Sequence, residues 1–236
     1  MCTVSFVSTS GKTIITSNRD EKVQRQSAIE PKSYLINNKN IFFPKDQKAG
    51  GTWYAVREDA TVLVLLNGAE EKHQLKSSYR KSRGLILLDL ISSDSVIKAW
   101  ENLNLDGIEP FTLVLFEQPN LYQLRWNEIE KSTLSMDANQ KHIWSSSTLY
   151  PKDVREHRAE LFRQFLGNKT DFSSDEMLHF HRYTEKDNQQ NGLVINRNEE
   201  LKTLSITQAV IEKNKVVLSH YDLQQQKEYT NSFITF

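Results

Sequence analysis

The chain has 236 residues and balances 30 basic against 30 acidic side chains, for a formal net charge of zero. That balance excludes a nucleic-acid protein driven by bulk electrostatics. A single cysteine excludes an intramolecular disulfide, so the fold needs no oxidising compartment. No apolar run approaches the length of a membrane span, and the N-terminus lacks the basic and apolar regions of a signal peptide. A cytoplasmic protein without a transmembrane segment is expected, and the length fits one domain over residues 1–236.

In chain order, Thr3–Thr9 alternates small polar and apolar residues, Ser10-Gly11-Lys12 supplies a turn, and Thr13–Thr16 resumes a β-rich run. This predicts a hairpin whose second strand delivers Ser17-Asn18-Arg19-Asp20-Glu21 back beside the N-terminus. Asn40–Phe43, Thr52–Val56 and Thr61–Leu66 read as further strands, with a loop ending in Gly50-Gly51 between the first two. Helical spacing then takes over from Ser78 to Leu103, with Leu85, Leu88, Leu90 and Ile91 on one face and a second helix capped by Ser93 or Asp94. Phe111–Glu117, Leu121–Trp126 and Ser132–Met136 predict a meander, and His142–Ser145 one more strand. Asp153–Leu166 predicts a helix stopped by Gly167-Asn168, and Ser173 starts another through His181. Strands return at Thr203–Ile211, Val216–Tyr221 and Glu228–Phe236. Strands, then helices, then strands predict an α+β layered architecture.

The residue with the most chemistry is Cys2. Read alone, it is a tail residue. If Met1 is removed, its thiol and a free α-amine share one residue, and the amine can serve as the base for its own side chain. Ordinary pKa values of about 8.5 for the thiol and about 7.7–8.0 for the amine suit this. Arg19 is then a candidate cation that lowers both, and Asp20 a candidate to orient the amine. The bland reading of Ser17–Glu21 is a solvated loop after a strand. Asn67, ending an apolar strand, could donate to a developing oxyanion, although Asn67-Gly68 is also a common turn. Gly50-Gly51 allows close backbone approach ahead of Trp53, itself a core residue or a ligand platform. The histidines show no metal spacing, and no phosphate loop or serine nucleophile elbow occurs.

Met1-Cys2, the Asn18-Arg19-Asp20-Glu21 string, Gly50-Gly51-Thr52-Trp53, Asn67 and Ser82-Arg83-Gly84 occur in an order that resembles the NRDE family, also called the transport and Golgi organisation 2 family. Ser145-Ser146-Ser147 with Arg155 and Arg158, and Leu204–Thr207, resemble its downstream pattern more loosely. The resemblance spans most of the chain. It implies the N-terminal nucleophile hydrolase fold, a four-layer αββα sandwich, with distant similarity to cysteine amidases of the choloylglycine type. The resemblance implies that Cys2, Arg19, Asp20 and Asn67 can occupy the catalytic roles, and that Asn18, Trp53 and Arg83 contact the ligand. The pattern departs in one respect: those amidases separate the arginine and aspartate by two residues, whereas Arg19 and Asp20 are adjacent and alternate faces if on a strand. Serines stand at 145–147 where a second oxyanion asparagine would be sought.

Three function classes follow. One is an N-terminal cysteine hydrolase or acyltransferase for a small amide or acyl conjugate, with no cofactor or metal required. Another is a non-catalytic ligand-binding or trafficking protein holding haem or a lipid-like acyl ligand. A structural interaction module, with Asn18–Glu21 bracing a loop, is the third. The expected partner is a small molecule, and sequence leaves the oligomeric state open.

Overall fold

The structure, a computed structural model, describes residues 3–9, 11–25 and 27–235. Its elements are β1 (Thr3–Thr9), β2 (Lys12–Lys22), β3 (Ile29–Ile36), β4 (Lys39–Lys45), β5 (Tyr54–Arg57), β6 (Val62–Asn67), α1 (Arg83–Ile91) and α2 (Val96–Asn102). There follow β7 (Phe111–Glu117), β8 (Asn120–Trp126), β9 (Lys131–Met136), β10 (His142–Ser145), α3 (Lys152–Leu166) and α4 (Ser174–Tyr183). The chain closes with β11 (Asn196–Arg197), β12 (Leu201–Glu212), β13 (Lys215–Asp222) and β14 (Lys227–Ile234). Two seven-stranded antiparallel sheets result: β10-β1-β2-β12-β13-β14 with β11 on β12, and β3 through β9 in sequence order.

The sheets meet face to face because their strands alternate. Val4, Phe6 and Ile15 of the first sheet join Tyr54, Val64, Val114 and Phe116 of the second in the main core, where Phe6 and Phe116 rings sit 5.2 Å apart. The opposite face of the hairpin, Val7 and Ile14, packs under α3 and α4 through Phe162, Met177 and Phe180. On the far side α1 covers β5 and β6. Strand β6 is therefore apolar at successive positions rather than alternating, since both its faces are buried. Each such side chain contributes roughly 1.5–3 kcal/mol on burial. Helix, sheet, sheet, helix is the expected αββα order. Tyr54 pins the two sheets together: its hydroxyl donates to Ile15 O at 2.8 Å and accepts from Ala209 N at 3.0 Å, and burial pushes its phenol up.

The predicted helices and meander form, but α1 begins at Arg83 rather than Ser78, and three further departures occur. Strand β3, with Pro31 inside and several exposed side chains, carried too weak an alternation to be predicted. The cap of α2 is Ser95, which accepts from Lys98 N, rather than Ser93 or Asp94. The largest departure concerns β2. It does not end before Ser17 but runs to Lys22, because the 12-residue β12 pairs with its whole length, from Glu212↔Lys12 to Leu201↔Lys22. Ser17–Asp20 are thus buried strand residues rather than a solvated loop.

Candidate functional site

Burying four polar residues in the middle of a sheet requires a partner for each. Strand alternation splits them between two faces. Asn18 faces α4: its amide donates to His181 O at 3.0 Å and Leu193 O at 2.7 Å, and its Oδ1 meets His181 Nδ1 in a short contact. His181 Nε2 lies 2.7 Å from Ser5 Oγ. This Ser–His–Asn chain is fully buried and braces the helical layer against the hairpin. Asp20 shares that face, accepting from Tyr150 Oη at 2.6 Å and Thr203 Oγ1 at 2.5 Å. A bulge in β12 between Thr203 and Ser205 sets Thr203 opposite Asp20 and Ser205 opposite Arg19.

Arg19 turns to the other face, between the sheets. Its Nη2 donates to Asp46 Oδ2 at 2.9 Å, and its guanidinium stacks on Trp53, 4.2 Å from the ring centroid. Asp46 is held in turn by Arg25 Nε at 2.9 Å and by the amides of Lys48 and Ala49. Burial alone would raise this carboxyl, but the Ala49 N–H and the two arginines outweigh it and hold it below its usual range. Burial lowers the Arg19 guanidinium, with Asp46 and Glu21 opposing.

Arg19 borders a cavity of about 180 Å³ together with Trp53, Leu65, Asn67, Arg83 and Glu109. Its far wall is built by two glycine motifs in contact. A Cβ on Gly51 would lie 2.5 Å from Gly84 C, and one on Gly84 would lie 2.7 Å from Thr52 O. Backbone cannot rotate aside, so Gly51→Ala is expected to cost about 2–4 kcal/mol, read as a lower urea midpoint at unchanged slope. That approach seats the start of α1, where Arg83 pairs with Glu109 at 3.0 Å and donates to Pro110 O at 3.0 Å. His73 reaches the same carboxylate at 3.2 Å. The Asn67 side chain makes no hydrogen bond among the described residues, while its carbonyl accepts from Ser146 Oγ at 2.7 Å. Trp53 Nε1 and Ser82 Oγ are buried without a partner among them.

Of the sequence-predicted residues, the fold gathers Arg19, Trp53, Asn67 and Arg83 at one cavity. Asn18 and Asp20 stand on the opposite face of β2, so the string does not act as one cluster. Cys2 lies outside the described residues. Asp46 and Glu109, which fix the two arginines, were missed; Asp46 is the one carboxylate in the loop before Gly50-Gly51, and Glu109 had no local signal. Ser145, Ser146 and Ser147 tie neighbouring segments together, with hydroxyls bonding Thr3 Oγ1, Asn67 O and Glu71 O.

The family model described as "Transport and Golgi organisation 2" matches residues 1–227. The chain belongs to the transport and Golgi organisation 2 family. No curated protein matched it. Among solved structures, this family member is similar to a Caenorhabditis elegans N-acylethanolamine-hydrolyzing acid amidase ortholog, with a TM-score of 0.62 and 12% identity over 88% of this chain and 92% of that one. It is also similar to the conjugated bile acid hydrolase from Clostridium perfringens, solved as a cysteine-to-alanine mutant, with a TM-score of 0.52 and 11% identity over 99% and 97% of the two chains. An arginine-to-leucine variant of that hydrolase matches with a TM-score of 0.54 and 10% identity, over 98% and 92%. These likenesses establish the N-terminal nucleophile hydrolase fold for this member of the family.

Proposed function

We propose that the chain is an N-terminal cysteine hydrolase or acyltransferase acting on a small amide or acyl conjugate. The observation that carries this reading is the cavity where Arg19 and Asn67 converge beside the start of β1. Thr3 faces Asn18 on one side and Ser145 on the other. Thr3 directly follows Cys2 in the chain, and its partner Asn18 directly precedes Arg19. In this reading the Cys2 α-amine takes the thiol proton and the thiolate attacks the carbonyl. The C–N bond breaks as the proton passes to the departing amine, and water or an acceptor amine then cleaves the thioester. Arg19 favours the thiolate, and the Asn67 amide donates to the oxyanion.

The second reading, a non-catalytic protein holding haem or a lipid-like acyl ligand, is favoured by one observation: Ser146 commits its hydroxyl to Asn67 O, so a second oxyanion donor is not in hand. The cavity's size speaks against haem there, because about 180 Å³ falls short of the roughly 300–1,000 Å³ of sites for drug-sized ligands.

Intact-mass spectrometry, iodoacetamide labelling and a panel of fluorogenic N-acyl amides test the proposal together. Expected are loss of Met1, preferential alkylation of Cys2 near pH 7, turnover abolished by Cys2→Ala, and alkylation slowed about tenfold in Arg19→Met as the thiol pKa rises about one unit. Retained methionine, or a Cys2 inert to alkylation, would sink the enzyme reading, and a Soret shift at micromolar haem would then support the alternative.

A further inference from the structure

A second cavity, of about 170 Å³, opens where β6, β7, β8 and β10 end, bordered by Leu66, Gly68, Thr112, Arg125, Ser146 and Arg155. Its chemistry is set by two arginines from distant parts of the chain. Arg125 Nη1 pairs with the exposed Glu70 at 3.1 Å, yet its Nε is buried without a hydrogen-bond partner among the described residues. The Arg155 side chain makes no hydrogen bond among the described residues; it has only an ion contact of 3.5 Å to Glu71, whose side chain is 78% exposed, and its Nε is likewise buried and unpartnered among them. The neighbouring Thr148 Oγ1 is a third buried polar atom without a partner among the described residues. Buried donors left unmade are rare enough to require a cause, and here they belong to two arginines at one cavity.

The space itself depends on Gly68. Its φ is +83°, and a Cβ there would come within 2.3 Å of Ser147 Oγ and 2.6 Å of Thr148 Oγ1. An Nε–Nη edge is a two-pronged donor that matches the two oxygens of a carboxylate or the oxygens of a phosphate. Glu70 and Glu71, anchored only at their tips and open to solvent, are the carboxylates such a ligand would displace.

We propose that Arg125 and Arg155 form an oxyanion-binding site for a small molecule carrying a carboxylate or a phosphate monoester. It stands without the catalytic reading, since binding needs no turnover. It also bears on that reading geometrically: Leu66 and Gly68 border this cavity while Leu65 and Asn67 border the other, so one β6 end separates the two.

Ligand-observed NMR titrations of the full chain with acetate, methyl phosphate and inorganic phosphate decide it. Saturable binding of at least one probe is expected, weakened at least tenfold in both Arg125→Met and Arg155→Met, each checked for folding by circular dichroism. Glu71→Gln should tighten binding several-fold by removing the competing carboxylate from an exposed position, a gain that general destabilisation cannot mimic. Acetate alone binding assigns a carboxylate ligand, and phosphates alone binding assigns a phosphate monoester. No saturable binding by any probe, affinity indifferent to both arginine variants, or weakening by Glu71→Gln would overturn the site.

Discussion

Acidification from pH 7 to pH 5 is expected to remove roughly 4 kcal/mol of folding stability, through two buried histidines. Burial, with Arg158 adding, pushes His181 down to about 3. Burial, with Arg19 adding and Asp222 opposing, pushes His220 down to about 4. In the unfolded chain both titrate near 6.5. Their stabilisation is therefore fully present above about pH 6.5 and declines as pH falls toward the folded values, because only the unfolded state takes up the protons. Each histidine costs about 1.4 kcal/mol per pH unit in that window, so about 2 kcal/mol by pH 5. Together this is a large share of the roughly 5–15 kcal/mol of an ordinary domain. Urea unfolding at the two pH values measures it, and the double variant His181→Gln, His220→Gln should show a much flatter dependence. A wild-type midpoint unchanged between pH 7 and pH 5 would refute the account.

The same buried groups show why the fold was more legible than the site. Period-two alternation in Thr3–Thr9 and the unbroken apolar run in Val62–Leu66 are local patterns, and they fix which faces are covered whatever does the covering. Polar strand residues carry no such mark. Asn18 is stable inside β2 only because His181 arrives from α4, and Asp20 only because Tyr150 and Thr203 do. Without those partners, Ser17–Glu21 reads as a loop. The alternation of Arg19 and Asp20 was readable once a strand was assumed, and it correctly separated them. Asp46 and Glu109 are different: each is defined by the arginine it meets, across intervals that no spacing rule spans. The fold thus follows from hydrophobic period, while the cavity follows from long-range pairing.

Arg158→Met is expected to be the most damaging single substitution away from the cavity, costing about 3–5 kcal/mol. The side chain is 1% exposed, and its guanidinium ties three parts of the chain together. Nη1 donates to Thr3 Oγ1 at 2.5 Å, Nη2 to Gly192 O at 2.5 Å, and Nε and Nη2 each to Asn191 O at 3.2 Å. Its flat face lies 3.6 Å from the Tyr150 ring centroid, and the same Tyr150 donates to Asp20. Methionine keeps much of the volume but removes every donor, leaving two carbonyls short of a partner in a region that water does not readily reach. A drop in melting temperature of about 10 °C follows for a chain of this length. Lysine restores the charge but not the fork, so Arg158→Lys should recover less than half of the loss. Because Thr3 directly follows Cys2, the methionine variant should also slow Cys2 alkylation at temperatures where it remains folded. Stability within about 1 kcal/mol of wild type would show that β1 is held at its N-terminal end by its strand pairing alone.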